Sequence, residues 1–158
     1  EVPIASISSN SSAPHSNAVS SLEVPRSHPL KLTRILVAED NLVNQQLVRL
    51  MLNKMGYDCD IVENGELLLK VLEEKTYDLI LMDCQMPVLD GYETTKHIRQ
   101  NQNLKNMIII GLTAYAMEDD RNKCIDSGMN DFLTKPYTLS GLQNMIEKWI
   151  NSKFIALA

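Results

Sequence analysis

From Arg34 onward, short apolar runs alternate with longer segments whose apolar residues recur at helical spacing. The runs Ile35-Leu36-Val37-Ala38, Asp78-Leu79-Ile80-Leu81-Met82 and Met107-Ile108-Ile109-Ile110-Gly111-Leu112 are almost continuously apolar. A strand covered on both faces has no polar side to show, so this is the pattern of buried parallel strands. Tyr57 to Val62 is a fourth candidate, with Tyr57, Cys59 and Ile61 on one side, and Asp131-Phe132-Leu133-Thr134 is a fifth. Between the strands lie five segments of helical length. Leu42 to Met55 places Val43, Leu47, Leu50, Met51 and Met55 on one stripe expected to face the core, with Gly56 as a C-terminal stop. Asn64-Gly65 opens a second helix through Leu68, Leu69 and Leu72, and the others run over 92–100, 116–127 and 138–151, where Trp149 and Ile150 anchor the last. Five repeats of strand then helix predict an α/β fold: a five-stranded parallel sheet with right-handed crossovers and helices on both faces.

The chain divides unevenly. Residues 1–33 carry nine Ser and four Pro and no sustained period, so they bury too little apolar surface to offset their ordering entropy and are expected to be a flexible linker. Residues 34–152 form the expected domain, and 153–158 a short tail. So little chain follows Ile150 that no output domain is expected behind it. At 158 residues and 44% hydrophobic, there is material for one domain with a real core.

Glu1 and Glu23 offset Arg26 and Lys31, so the net charge of −5 sits on the folded part. No basic stripe points to nucleic acid, and no apolar run is long enough to cross a membrane. Cys59, Cys84 and Cys124 are an odd number at wide spacing, without a CxxC pair; they read as free thiols in a reducing compartment, the cytoplasm. His15 and His28 have no partners at metal spacing and read as solvated, as does His97 in mid-helix. Asn10-Ser11-Ser12 matches a glycosylation acceptor by chance.

In an open parallel sheet, ligands bind beyond the carboxyl ends of the strands, near the point where strand order reverses. Glu39-Asp40 follows the first strand, Asp83 ends the third, Thr113 ends the fourth, and Lys135-Pro136 follows the fifth. Four strands thus bring two or three carboxylates, a hydroxyl and an ammonium to one sheet edge. Carboxylates this close repel one another unless a cation neutralises them, and a hard divalent ion with oxygen ligands, Mg²⁺ by preference, suits them. Asp83 is then available as a carboxylate nucleophile toward a phosphoryl group, with Lys135 pairing the developing charge and Thr113 donating to a phosphate oxygen. Each residue has a plainer reading: Asp40 as an N-cap for the helix from Leu42, Thr113 as an ordinary strand end, Lys135 as a solvated turn residue.

These residues together resemble the receiver domain of bacterial response regulators and hybrid histidine kinases. The resemblance covers residues 34–151. It rests on Ile35-Leu36-Val37-Ala38-Glu39-Asp40-Asn41, on Asp83-Cys84-Gln85-Met86-Pro87-Val88-Leu89-Asp90-Gly91, on Leu112-Thr113-Ala114 and on Phe132-Leu133-Thr134-Lys135-Pro136, in that order. It implies the doubly wound, flavodoxin-like strand order 2-1-3-4-5 and Asp83 as phosphoacceptor. Mg²⁺, or Mn²⁺ in its place, would sit on Asp40, Asp83 and the backbone carbonyl of Gln85, with Glu39 acting mainly through water. Lys135 would contact the phosphoryl group from a cis bond to Pro136, and Thr113 and Phe132 would form the switch pair. Phe132 stands where the family often has Tyr, so ring packing alone would report the state; Gln85, Ala114 and Tyr115 border the site.

Asn41-Leu42-Val43-Asn44-Gln45 and Gly128-Met129-Asn130-Asp131 are similar to receivers attached to hybrid sensor kinases, which implies the C-terminal piece of such a kinase. The implied partners are a histidine kinase dimerisation and phosphotransfer domain, in the same parent chain or not, and a separate histidine phosphotransfer protein. The receiver itself would catalyse its own phosphorylation and dephosphorylation. Competing classes want other residues. A haloacid-dehalogenase-type phosphatase places its nucleophile in a DxD run on the first strand, where this chain has Glu39-Asp40. A phosphorylation-independent scaffold loses the acids, Thr or Lys that this chain keeps. A flavin or nucleotide binder wants GxGxxG or GxxxxGK[ST], and neither occurs.

Overall fold

The computed structural model describes residues 33–156. The expected linker therefore lies, except for Thr33, outside the described residues. Five strands, β1 (Arg34–Ala38), β2 (Asp58–Val62), β3 (Leu79–Asp83), β4 (Ile108–Thr113) and β5 (Asp131–Thr134), pair in parallel in the order β2-β1-β3-β4-β5. That is the expected doubly wound order. Helices α1 (Leu42–Lys54), α2 (Gly65–Glu74), α3 (Gly91–Gln100), α4 (Glu118–Ser127) and α5 (Leu139–Ala156) alternate with them. The last helix runs on to Ala156, through most of the stretch read as a tail.

Strand alternation splits the core in two. Leu36, Ala38, Ile80, Met82 and Ile109 pack under Leu68 and Leu72 of α2, Ile98 of α3 and Cys124 of α4. Ile35, Val37, Leu79, Leu81, Ile108, Ile110 and Leu112 pack under Val48 and Leu52 of α1 and Leu142, Ile146 and Ile150 of α5. Strands β3 and β4 are buried throughout, which explains their uninterrupted apolar runs, whereas the edge strands β2 and β5 are mostly half-buried. Tyr57, Cys59 and Ile61 share one side, against the second core, as their spacing predicts.

Helix α1 turns a different face to the core from the one its stripe predicts. Val43, Leu47 and Leu50 are 72%, 47% and 58% exposed, and the buried residues are Val48 and Leu52, flanked by Met51 and Met55. The helix carries apolar residues on two faces that share Met51, and both sets fit a 3.6-residue period. Periodicity alone cannot choose between them; the sheet face above Ile35 and Val37 does.

Beyond the core, two side chains tie the layers together. Arg99 on α3 donates to the carbonyls of Gly128, Lys105 and Met107 and to Asn130 Oδ1, pinning the α4–β5 connection. Asp131 at the start of β5 accepts from Lys148 Nζ at 2.7 Å and Trp149 Nε1 at 3.0 Å, fastening α5 to the sheet. Burial pushes the Asp131 carboxyl up, but these two donors and the Phe132 N–H outweigh it and hold the group below its ordinary value. A carboxyl depressed in the folded state stabilises above its unfolded pKa of about 4, and the gain is lost as pH falls through the folded value. Asp131→Asn should therefore cost about 1 kcal/mol near neutral pH. The loss should shrink toward zero in urea titrations at progressively more acidic pH, and a constant deficit across the series would contradict the ionic role.

Candidate functional site

The carboxyl ends of β1, β3, β4 and β5 meet at one edge of the sheet, β1 and β3 being the neighbours between which the winding reverses. There Lys135 Nζ lies 2.7 Å from Glu39 Oε2 and 2.7 Å from Asp83 Oδ2. Carboxylate oxygens of Glu39, Asp40 and Asp83 all fall within 4.8 Å of one another. Glu39 and Asp83 are buried, at 1% and 6% exposure, while Asp40 is exposed at the mouth. The cup is thus two buried acids on adjacent strands, bridged by one ammonium, with a third acid facing solvent.

Local structure explains how each group is presented. Asn41, not Asp40, caps α1: its Oδ1 accepts from the N–H groups of Val43 and Asn44, at 2.9 and 3.1 Å. The N-cap reading of Asp40 is therefore wrong, because the residue one position later already satisfies those donors, and Asp40 is left for other chemistry. Glu39 is held from three sides: the Asn41 N–H and Asn44 Nδ2 each donate to its Oε1 at 3.1 Å, and Lys135 takes its other oxygen. Gln45 Nε2 donates to its backbone carbonyl at 2.6 Å. Asn44 and Gln45 were not singled out as site residues by sequence reasoning. The signal was their position in the first helical turn after the acid pair, where a side chain can reach back to a strand end.

The loop after Asp83 turns back on itself. The Gln85 N–H donates to Asp83 Oδ1 at 3.0 Å, Gly91 N–H donates to the Cys84 carbonyl at 3.2 Å, and Asp90 caps α3 by accepting from the Glu93 N–H. A Cβ at Gly91 would collide with the carbonyl oxygen of Asp83, so glycine is required where α3 starts against the strand end. The Lys135–Pro136 peptide is cis, as expected, and the Lys135 N–H donates to the Thr113 carbonyl at 2.7 Å, which sets Lys135 beside β4.

The electrostatics follow from burial and proximity. Desolvation pushes the Asp83 carboxyl above its ordinary value; Lys135 and the Gln85 N–H pull it back, and the Glu39 charge adds to the rise. Burial alone would lower the Lys135 ammonium, but its bonds to Asp83 and Glu39 win and hold it above the usual lysine value. Among the described residues, no buried side-chain nitrogen or oxygen lacks a hydrogen-bond partner. Three convergent carboxylates are the donor set of a hard, oxygen-seeking dication. The arrangement can hold such an ion, present Asp83 as a nucleophile and neutralise charge developing on a transferred anionic group.

Thr113 is buried at the end of β4, and its hydroxyl closes a turn with the backbone of Tyr115, whose N–H donates to Oγ1 at 3.2 Å. Phe132 is half-buried on β5, packed against the first core, with the Arg121 guanidinium 5.3 Å above its ring. Arg121 is a further neighbour that sequence reading did not anticipate, since α4 and β5 meet only in the fold. His97 is exposed on α3, away from the site residues, as expected.

Fold and cup together define a phosphoacceptor-type receiver, and comparison with known proteins agrees. The family model for the response regulator receiver domain matches residues 35–147. The chain belongs to that family. It is 41% identical over 135 residues to the hybrid signal transduction histidine kinase K of Dictyostelium discoideum, covering 81% of this chain but 11% of that protein. The receiver domain of the sensor histidine kinase PA1611 from Pseudomonas aeruginosa, solved with a magnesium ion in its active site cleft, superposes with a TM-score of 0.71 at 44% identity, over 75% of this chain and 98% of that one. The co-crystal structure of the Saccharomyces cerevisiae phosphotransfer protein Ypd1 and the receiver domain of Ssk1 contains a chain matched at TM-score 0.69 and 34% identity, over 74% of this chain and 88% of that one. This protein is a receiver domain of a two-component phosphorelay, related to those of hybrid histidine kinases. Among the described residues no helix is long and apolar enough to cross a membrane.

Val88 has φ of 69°, at the centre of a three-residue turn closed by the Leu89 N–H on the Pro87 carbonyl at 2.8 Å. A β-branched residue at positive φ stores about 1–3 kcal/mol of strain. Val88 is 75% exposed, so little packing is at risk. Val88→Gly relieves the strain at some cost in unfolded-state entropy, and should raise stability by about 0.5–1 kcal/mol. A lower urea midpoint would show the strain argument to be wrong.

Proposed function

We propose that Asp83 accepts a phosphoryl group from a phosphohistidine, in a reaction supported by Mg²⁺ held on Asp40, Asp83 and the backbone carbonyl of Gln85, with Glu39 acting mainly through water and Mn²⁺ able to substitute. The observation that carries this reading is the single Lys135 ammonium at 2.7 Å from both Glu39 and Asp83, inside a three-carboxylate cup at the sheet's topological switch. When bound, the dication neutralises the carboxylates and the phosphoryl oxygens. Asp83, desolvated and steadied by the Gln85 N–H, attacks phosphorus; the new bond is carboxylate oxygen to phosphorus, and the phosphorus–nitrogen bond to the donor imidazole breaks. Lys135 follows the growing charge from Asp83 onto the phosphoryl oxygens. Thr113 leaves its turn with Tyr115 to donate to one of those oxygens, and Phe132 moves into the space vacated, giving up the Arg121 contact. Glu39, fixed by Asn44, the Asn41 N–H and Lys135, would steady the ion through its waters.

The same reading gives α4 the role of the responsive element. It has no side-chain N-cap and buries only Cys124 and Ser127, so little packing opposes its displacement. The donor approaches across α1. Leu42, Val43, Leu47 and Leu50 stay exposed, and a cavity of about 320 Å³ lined by Asn44, Leu47, Lys135, Pro136 and Tyr137 joins that apolar face to the cup. A helical domain bearing the phosphohistidine fits there, as a kinase phosphotransfer domain or a separate histidine phosphotransfer protein. The parent chain on this reading is a hybrid histidine kinase, with this segment in the cytoplasm.

Acetyl phosphate with Mg²⁺ should add one base-labile phosphoryl group, and Asp83→Asn should abolish uptake. Incorporation that persists in Asp83→Asn would move the acceptor elsewhere. Phosphorylation should also change hydrogen-exchange protection in α4 and β5; a response confined to residues 83–91 would remove Thr113 and Phe132 from the switch. Val43→Asp should slow transfer from a phosphohistidine domain about tenfold, a loss near 1.4 kcal/mol, while leaving uptake from acetyl phosphate unchanged. Equal loss with both donors would place the defect in the cup and not in docking.

A further inference from the structure

We propose that Cys84 and Cys124 form an oxidisable dithiol that hydroperoxides close to a disulfide, tying α4 to the strand that carries Asp83. The two sulfurs are 3.7 Å apart and the residues are 1% and 0% exposed. They come from unrelated stretches of chain: Cys84 directly follows β3, and Cys124 lies in α4. Their meeting place is prepared by β4, which has Gly111 beneath them. A Cβ built there would lie 3.4 Å from each cysteine sulfur and 2.6 Å from Met129 Sδ. It is Met129 Sδ that requires a glycine in the middle of this otherwise branched strand, and the two cysteine sulfurs lie at ordinary contact distance beside it. Closing the pair to a disulfide brings the sulfurs about 1.6 Å nearer, from 3.7 Å to the covalent length of about 2.05 Å. Rotation of the Cys124 side chain, with a small shift of the lightly packed α4, supplies that movement.

Access comes from the functional edge. Cys84 lines an open cavity of about 400 Å³ with Asp40, Gln85, Pro87, Asp90 and Tyr92, next to the carboxylate cup. The sulfurs themselves are closed off, so a small peroxide reaches them from this cavity when the lightly packed α4 opens locally. The reaction balances as two S–H bonds and one O–O bond broken, one S–S bond and two O–H bonds made. The two thiols are oxidised by two electrons and hydrogen peroxide leaves as water. Cys59, on the far edge strand β2, takes no part. A disulfide in a reducing compartment is transient, which suits a sensor better than a structural staple. The bond formation is independent of Asp83 chemistry; its effect on signalling rests on the role of α4 proposed above.

The test uses the full chain carrying Cys59→Ser. After hydrogen peroxide and quenching, the protein is denatured with a maleimide and weighed intact. The expected product has lost two hydrogens and takes up no maleimide, and dithiothreitol restores uptake of two. Cys84→Ala and Cys124→Ala should each abolish the two-hydrogen loss. Two maleimides after peroxide, or oxygen adducts in place of hydrogen loss, would overturn the dithiol. Exchange of amides 118–127 should slow about tenfold in the disulfide form. Unchanged exchange in a confirmed disulfide would overturn the tie to α4. Neither readout requires phosphorylation, so a failed phosphoacceptor assignment would be seen separately, by Asp83→Asn.

Discussion

Two buried carboxylates on neighbouring strands cannot lie side by side unless something positive lies between them. In this protein that group is the Lys135 ammonium, equidistant from Glu39 and Asp83. Much of the site's architecture serves that contact. The β4–β5 pairing brings Lys135 alongside Thr113, Asn44 and the Asn41 N–H aim Glu39, and the Gln85 N–H steadies Asp83. Buried charge pairs contribute little net stability, because desolvation offsets most of the attraction. The cluster is better understood as chemistry that the fold tolerates than as a device that holds the fold together. What holds it together is the apolar sandwich on either side of β3 and β4, with Arg99 and Asp131 fixing the connections.

The family's logic follows from this economy. A rigid sheet presents the cup from the ends of four strands, while the element proposed above to report the reaction is a lightly anchored helix. Helix α4 is polar, uncapped by any side chain, and rests on the core mainly through Cys124. The same residue meets Cys84, the immediate neighbour of Asp83. Phosphoryl and peroxide inputs would therefore act on one helix from two adjacent residues of one strand end.

The exposed side of α1 shows how an apparent patterning fault acquires meaning. Val43, Leu47 and Leu50 obey a helical period and yet face solvent, because the sheet has already chosen Val48 and Leu52. A helix apolar on two faces has one for its own core and one to spare, and the spare face here shares a cavity with Lys135 of the cup.

Much was legible in the residues alone. Strand identities, the parallel sheet and the polar residues at strand ends follow from local composition, since buried parallel strands leave an unbroken apolar run and polar residues stop it. The strand order and the Thr113–Phe132 pairing came from the family resemblance. What the chain could not disclose were choices between equal local options: which face of α1 is inside, whether Asp40 or Asn41 caps the helix, which side chains orient Glu39, and that Arg121 covers Phe132. The meeting of Cys84 with Cys124 belongs in the same group. Such outcomes depend on distances between segments far apart in the chain, and only packing, which excludes all but one arrangement, sets those distances.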